Sequence, residues 1–243
     1  MPSSDSSPTI KLPSGKGYVV LLSGGLDSSV LAFCLTRAGL NIKALTIDYG
    51  QRHAKEQVAA KEVAAVLGIE HRIVSLGELR PILGDGSSLL NQDIAVPEGH
   101  YEDDSMKSTV VPNRNMILLS IATAWSIASS LDGVAYAAHA GDHAIYPDCR
   151  PAFADAMNEA INLCDYTSQE LIRPFVFLTK ADIVKLGASL GVPFEKTWSC
   201  YNGRAVHCGK CGTCTERIEA FELAGVPDAT EYQGFVQSRE AGL

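Results

Sequence analysis

LLSGGLDSSV, residues 21–30, joins an apolar run to a helix through a turn built of serine and glycine. Ahead of it Tyr18-Val-Val-Leu-Leu reads as a short buried strand, and behind it Ser28 to Ala38 reads as a helix stopped by Gly39. The turn thus lies between strand and helix, where α/β proteins bind phosphate groups. Gly24 and Gly25 are expected to take backbone angles closed to other residues and to let a phosphate approach. Ser23, Ser28 and Ser29 add hydroxyl donors at the positive end of the helix. An ordinary tight turn is the plainer alternative, and the fuller pattern Ser-Gly-Gly-x-Asp-Ser argues against it.

The pattern G-x-x-x-x-G-K-[ST] is absent and no lysine follows the glycines, so a kinase-like or GTPase-like grip on a γ-phosphate is not expected. Ser23-Gly24-Gly25-Leu26-Asp27-Ser28 instead resembles the SGGxDS signature of the PP-loop superfamily. That resemblance implies a loop that holds the pyrophosphate part of ATP, cleavage of the α–β bond, and transfer of AMP to a substrate oxygen. It also implies that Asp27 orients or ligates Mg2+, offsetting charge on the pyrophosphate.

The 243 residues are 46% hydrophobic, enough for one large domain or a domain with a small appendage. Lys and Arg total 20 against 28 for Asp and Glu, a net charge of −8, which argues against a nucleic-acid partner. Residues 1–17 lack the apolar core of a signal peptide, and nowhere do about 18 apolar residues run together. A disordered tail over 1–17, no membrane contact and a cytoplasmic location are expected.

Downstream, strand and helix patterns alternate. Strands are expected over 42–49, 71–75 and 134–138, and helices over 53–67, 114–131, 151–164 and 180–190. This order predicts an α/β fold with a doubly wound, mostly parallel sheet, whose ligands sit beyond the carboxyl ends of the strands. Asp48-Tyr49-Gly50-Gln51-Arg52-His53 falls at such an end, either lining a nucleotide or second substrate or simply opening a helix with Asp48 as its cap. Periodicity disappears between Leu76 and Asn113, and a lid is preferred there; its acidic run 102–104 reads as a solvated face. Its exit, Val111-Pro112-Asn113-Arg114-Asn115, places an arginine at a helix start where a carboxylate or phosphate can be received. His139 to Arg150, HAGDHAIYPDCR, is denser in acids and imidazoles than a connection requires and reads as a recognition loop. Cys34, Cys149 and Cys164 read as buried small apolar residues.

Cys200, Cys208, Cys211 and Cys214 differ, falling as C-x7-C-x2-C-x2-C with glycines at 209 and 212. Four thiolates suit one tetrahedral Zn2+, and a closed set leaves no open position for water, so the ion is expected to be structural. His207 adjoins a ligand, but four sulfurs already complete the shell.

SGGLDS, DYGQRH, VPNRN, YPDCR and the terminal CYNG…CGKCGTC, taken in that order, resemble the 7-cyano-7-deazaguanine synthase family of queuosine biosynthesis over nearly all of the chain after residue 17. The resemblance implies a PP-loop ATP-binding domain over 18–196 and a small zinc module over 197–243. It implies a ligase that takes 7-carboxy-7-deazaguanine, ammonia and ATP to the nitrile through an adenylated acid and an adenylated amide. Catalytic roles fall on Asp27, Lys180 and Arg114, and nucleotide contacts on Leu22, Ser23, Gly24, Gly25, Leu26, Asp27, Ser28, Ser29, Arg52 and His53. Asp142, His143, Asp148 and Arg150 are candidates to read the deazaguanine ring, and a homodimer is kept as a candidate assembly. Many members have Gln at the position of Leu26 and Gly at that of Asn113; Leu26 leaves the phosphate donors unaltered, and Asn tolerates unusual backbone angles. A deazapurine amide ligase, another adenylating tRNA-modifying enzyme and a non-catalytic zinc-ribbon module remain as alternatives.

Overall fold

The computed structural model describes residues 10, 11, 13–51 and 54–234. Among the described residues, five strands form a parallel sheet in the order β3-β2-β1-β4-β5, with β1 Gly17–Leu21, β2 Asn41–Asp48, β3 Glu70–Ser75, β4 Gly133–Ala135 and β5 Glu170–Ile172. In register, Tyr18 of β1 lies between Ile42 of β2 and Gly133 of β4. The chain winds outward one way through β2 and β3 and the other way through β4 and β5. The switch point is therefore between β1 and β4, which is where such sheets open a crevice.

Alternation along β1 sends Tyr18 and Val20 to one face and Val19 to the other, and each face is covered by helices. On the first face lie α1 (Leu26–Arg37), α2 (Lys55–Leu67), α6 (Lys180–Leu190) and α7 (Gly212–Ala224). On the second lie α4 (Arg114–Ala128) and α5 (Pro151–Asn162), while α3 (Arg80–Leu83) is a single turn outside both layers. No helix among the described residues is long and apolar enough to cross a membrane.

Several expected boundaries move. β4 stops at Ala135 rather than running to Ala138, and β5 and α7 were not expected at all. Helix α4 ends before Leu131 because Ser130 turns left-handed at φ 54° and Leu131 N–H donates back to the Ser126 carbonyl. The end of the expected tail is tied down: Lys16 and Gly17 donate their N–H groups to Asp132, and Gly17 already belongs to β1. Residues 1–9 and 12 lie outside the described residues.

The stretch from Leu76 to Asn113 is a packed wall rather than a loose lid. Leu89, Leu90, Val96, Tyr101 and Met106 are buried in it, and Gly99 N–H donates to the Lys210 carbonyl, pinning it to the cysteine-rich segment. Cys34 and Cys149 are buried as expected; Cys164 is exposed, because α5 ends two residues before it.

Candidate active site

A cleft of about 260 Å³ opens at the carboxyl ends of β1, β2 and β4. One end is the turn after β1. Leu22 is held by N–H donation to the Leu45 carbonyl and by the Thr46 hydroxyl on its own carbonyl. Gly24 takes φ 86°, and a Cβ there would stand 2.2 Å from the Glu56 carbonyl oxygen, so glycine is required because α2 presses on the turn. Gly25, by contrast, has an ordinary φ of −72° and is the N-cap of α1. Having no side chain to cap with, it leaves the first-turn N–H groups of α1 for an anion.

The serines divide. Ser23 and Ser28 line the cleft with their hydroxyls 3.0 Å apart, and Leu26 and Asp27 line it beside them. Ser29 is fully buried and donates to the Gly25 carbonyl at 2.7 Å, so its hydroxyl is spent inside the turn. Gly24 is likewise behind the surface, its carbonyl accepting from Trp198 N–H at 2.9 Å.

Asp27 begins a charged cluster. Its Oδ2 is 3.2 Å from the Lys180 ammonium, and Lys180 is also 2.7 Å from Glu216 Oε2. His139, nearly fully buried, accepts from Gly141 N–H at Nδ1, and its Nε2 lies 3.4 Å from the Lys180 ammonium and 3.6–3.9 Å from Asp27, Asp142 and Glu216. Burial works to raise the Asp27 carboxyl, but Lys180 and His139 outweigh it and hold the group below the usual range. Lys180 is opposed by burial and held charged by Asp27, Glu216 and Asp142, well above the ordinary lysine range. The other Asp27 oxygen, Oδ1, is buried with no hydrogen-bond partner among the described residues. An ionised carboxylate with one buried oxygen unused fits a hard divalent cation such as Mg2+.

The opposite end is aromatic. Arg114, first residue of α4, follows Asn113, whose φ of 56° is the left-handed angle that asparagine tolerates. The Arg114 guanidinium lies 5.8 Å from the Tyr146 ring centroid and makes no ion pair with any described residue. Burial opposes its charge, and Tyr49, Tyr146 and Tyr201 around it more than offset that. Tyr146 is fixed by the Thr109 hydroxyl at 2.6 Å and Tyr201 at 3.2 Å. Tyr101 donates to Asp142 at 3.0 Å, connecting this end to the charged cluster.

Glu56, in the first turn of α2, also lines the cleft, and burial raises its carboxyl from 4.5 to about 7 against the pull of Arg114. A carboxyl raised on folding stabilises the native state below its unfolded pKa and loses that contribution as pH climbs through its folded one. The window is therefore pH 4.5 to about 7. Glu56→Gln, a mimic of the protonated acid, should raise stability by on the order of 2 kcal/mol at pH 8 and leave it near wild type at pH 4.5. Thermal melts at the two pH values test this; an equal shift at both would rule out the titration.

Cys200, Cys208, Cys211 and Cys214 are buried, with their sulfurs all within 4.8 Å of one another and those of Cys208 and Cys214 3.9 Å apart. Tetrahedral zinc with bonds of about 2.3 Å requires sulfur separations of about 3.8 Å, so the four can hold such an ion. Lys210 and Cys211 N–H groups point at the Cys208 sulfur at 3.4 and 3.3 Å, a polarity that suits a thiolate. His207 is turned away from the cluster, its Nε2 accepting from Ser199 N–H and its ring against Trp198.

Of the other expected site residues, Tyr49, Gln51, Asn115 and Asp142 line the cleft, while His143, Asp148 and Arg150 do not. Asp148 accepts from Asn115 N–H, and exposed Arg150 donates to the His143 carbonyl, so both brace the loop. Asp48 caps no helix; it accepts from Gly50 N–H, and α2 starts later, after Ala54. Arg52 and His53 lie outside the described residues. Glu216 and Glu56 were not expected. The only sequence signal for Glu216 is its place two residues beyond the last cysteine.

The model of the family described as queuosine biosynthesis protein QueC matches residues 17–225. The 7-cyano-7-deazaguanine synthase of Methanoregula boonei is 51% identical over 215 residues, covering 88% of this chain and 98% of that one. That of Pseudoalteromonas translucida is 48% identical over 215 residues, again 88% and 98%. Among solved structures, NMN synthetase from Francisella tularensis superposes with a TM-score of 0.52 at 19% identity, over 88% of this chain and 79% of that one, a likeness of fold. With a PP-loop turn, an all-parallel sheet and near-complete coverage of such relatives, the chain belongs to the QueC family of queuosine biosynthesis proteins.

Proposed function

We propose that the chain is an ATP-dependent ligase that converts 7-carboxy-7-deazaguanine and ammonia to 7-cyano-7-deazaguanine. The observation that supports this most is the polarity of one cleft. The ionised Asp27–Lys180 pair stands beside an uncapped helix end, and Arg114, without an ion-pair partner among the described residues, waits among tyrosines. A triphosphate suits the first end; a flat heterocycle bearing a carboxylate suits the second. The name carried by the relatives points to the same chemistry.

A carboxylate is a poor electrophile, so its oxygen first attacks the α-phosphorus of ATP and pyrophosphate departs. Ammonia then adds to the acyl carbon, loses a proton, and AMP leaves with its bonding pair, giving the amide. The amide oxygen repeats the attack on a second ATP, and loss of two N–H protons with AMP forms the carbon–nitrogen triple bond. Lys180 and the first-turn amides of α1 bind phosphate charge, and Arg114 orients the acid. Asp27 would hold Mg2+, which when bound neutralises the pyrophosphate. The four cysteines would hold one structural Zn2+.

The test is a quenched time course of acid, amide, nitrile and AMP. Two AMP should appear per nitrile, and added amide without ammonia should yield nitrile for one further AMP. An inert amide, with acid consumed to an amide end product at one AMP each, would establish the amide ligase instead.

A further inference from the structure

We infer that Glu216 is the positioning residue for Lys180, and that the four-cysteine knuckle places it by setting the first turn of α7, so that metal occupancy reaches the phosphate end of the cleft. This rests on the role given to Lys180 above. Lys180 opens α6, where Thr179 and Asp182 form a reciprocal cap that fixes its backbone but not its long side chain. The ammonium is located by two carboxylates, Asp27 at 3.2 Å and Glu216 at 2.7 Å, with the His139 Nε2 farther off at 3.4 Å. Asp27 is the carboxylate with an unused oxygen for a cation, so it is the partner whose hold on Lys180 weakens when nucleotide and magnesium arrive. Glu216 then remains as the anchor.

What locates Glu216 is the cysteine cluster. Cys211 is the N-cap of α7 and Cys214 lies in its first turn, so the segment carrying Glu216 begins on the metal ligands themselves. On the far side of Glu216, Arg217 is fully buried and bonded to Thr197 and Ser199, just ahead of Cys200. A second strand of the same connection runs from Cys200 back through Trp198, whose N–H donates to the Gly24 carbonyl. The phosphate turn and its lysine are thus both tied to residues next to the sulfur cluster.

The experiment compares wild type, Glu216→Ala, Glu216→Gln, Lys180→Ala and the Glu216→Ala/Lys180→Ala double variant for AMP release, Mg·ATP affinity by calorimetry, metal content and melting. Glu216→Ala should slow AMP release by about tenfold or more while keeping its metal and its melting temperature. Glu216→Gln, whose amide oxygen accepts the same N–H, should recover most of the rate. In the Lys180→Ala background the second substitution should cost nothing further, because the two act as one. Near wild-type turnover in Glu216→Ala, or losses that multiply in the double variant, would overturn the assignment. Chelator titration of wild type should lower Mg·ATP affinity in step with metal loss while helicity persists; affinity retained by a folded, metal-free chain would cut the link to the knuckle. Should stripping unfold the chain, the double-variant comparison still decides the Glu216–Lys180 pairing, while global unfolding overturns the claim that the metal acts on the cleft through the first turn of α7. If wild type binds Mg·ATP yet forms no AMP with any carboxylate, the adenylation chemistry fails, and the affinity measurements still judge Glu216.

Discussion

Asp27→Ala should release no measurable AMP, a loss of about a thousandfold or more, in a protein that remains folded. The expectation follows from where the two carboxylate oxygens go. One pairs with Lys180 at 3.2 Å; the other is buried and has no partner among the described residues. Such an oxygen is costly to keep unless a ligand uses it, and the ligand this cleft suits is a cation carried in with a pyrophosphate. Alanine removes that coordination and also frees Lys180 to sit wholly on Glu216, 2.7 Å away, so positive charge is drawn off the phosphate position as well. Removing a single preorganised electrostatic group typically costs about a hundred- to a thousandfold, and here two are lost together. Folding should survive, since the rest of the α1 start is held by Ser28 and Ser29 on the Gly25 carbonyl. Quenched-flow detection of AMP beside a circular dichroism spectrum is the measurement, and AMP release near the wild-type rate would remove Asp27 from the mechanism.

Cys211→Ser should be the most destabilising single change in the chain. Structural zinc sites contribute on the order of 10 kcal/mol of folding free energy, and three remaining sulfurs cannot close the tetrahedron. Cys211 has no exposed surface and stands at the N-cap of α7, so weakening the metal site loosens the start of the helix whose Phe221 packs edge-on against Phe194. A fall in melting temperature of about 10 °C or more, with the metal lost from an expected one ion per chain, should be seen by thermal melting and metal analysis. A metal-free wild-type preparation that melts at the same temperature as the loaded one would show that no ion supports this fold.

The serine-glycine turn after β1 and the sulfur cluster could be read from sequence because each is local: the residues that cooperate are within a few positions of one another. The strand-helix alternation through α2 was legible for the same reason, since each element is long enough to show its period. What escaped was set by distance or by length. β5 spans three residues, too few for a periodic pattern, and exists because it pairs with β4. Helix α7 was hidden by its own chemistry: its first turn, Gly-Thr-Cys-Thr, is made of poor helix formers, and Arg217, which reads as a solvent-facing charge, is fully buried. Glu216, His139 and Tyr101 come from remote segments and meet only after α6 and α7 pack, so no spacing could have announced their meeting. The 76–113 wall is built from contacts to the cysteine segment and to Asp142, which periodicity cannot register.

Arg217 also fixes how far the chain must be made before this half of the molecule can close. Its counter-charge, Asp228, lies beyond the end of α7, and Asp228 is itself held by the Tyr232 hydroxyl at 2.6 Å. A buried guanidinium left without its carboxylate costs about 3–5 kcal/mol, which weighs against the docking of α7. Glu216 is therefore expected to settle against Lys180 most stably once residues as far as Tyr232 have been made. During synthesis the amino-terminal phosphate turn exists for some time without its finished lysine site, and a truncation at the end of α7 would leave it in that condition permanently.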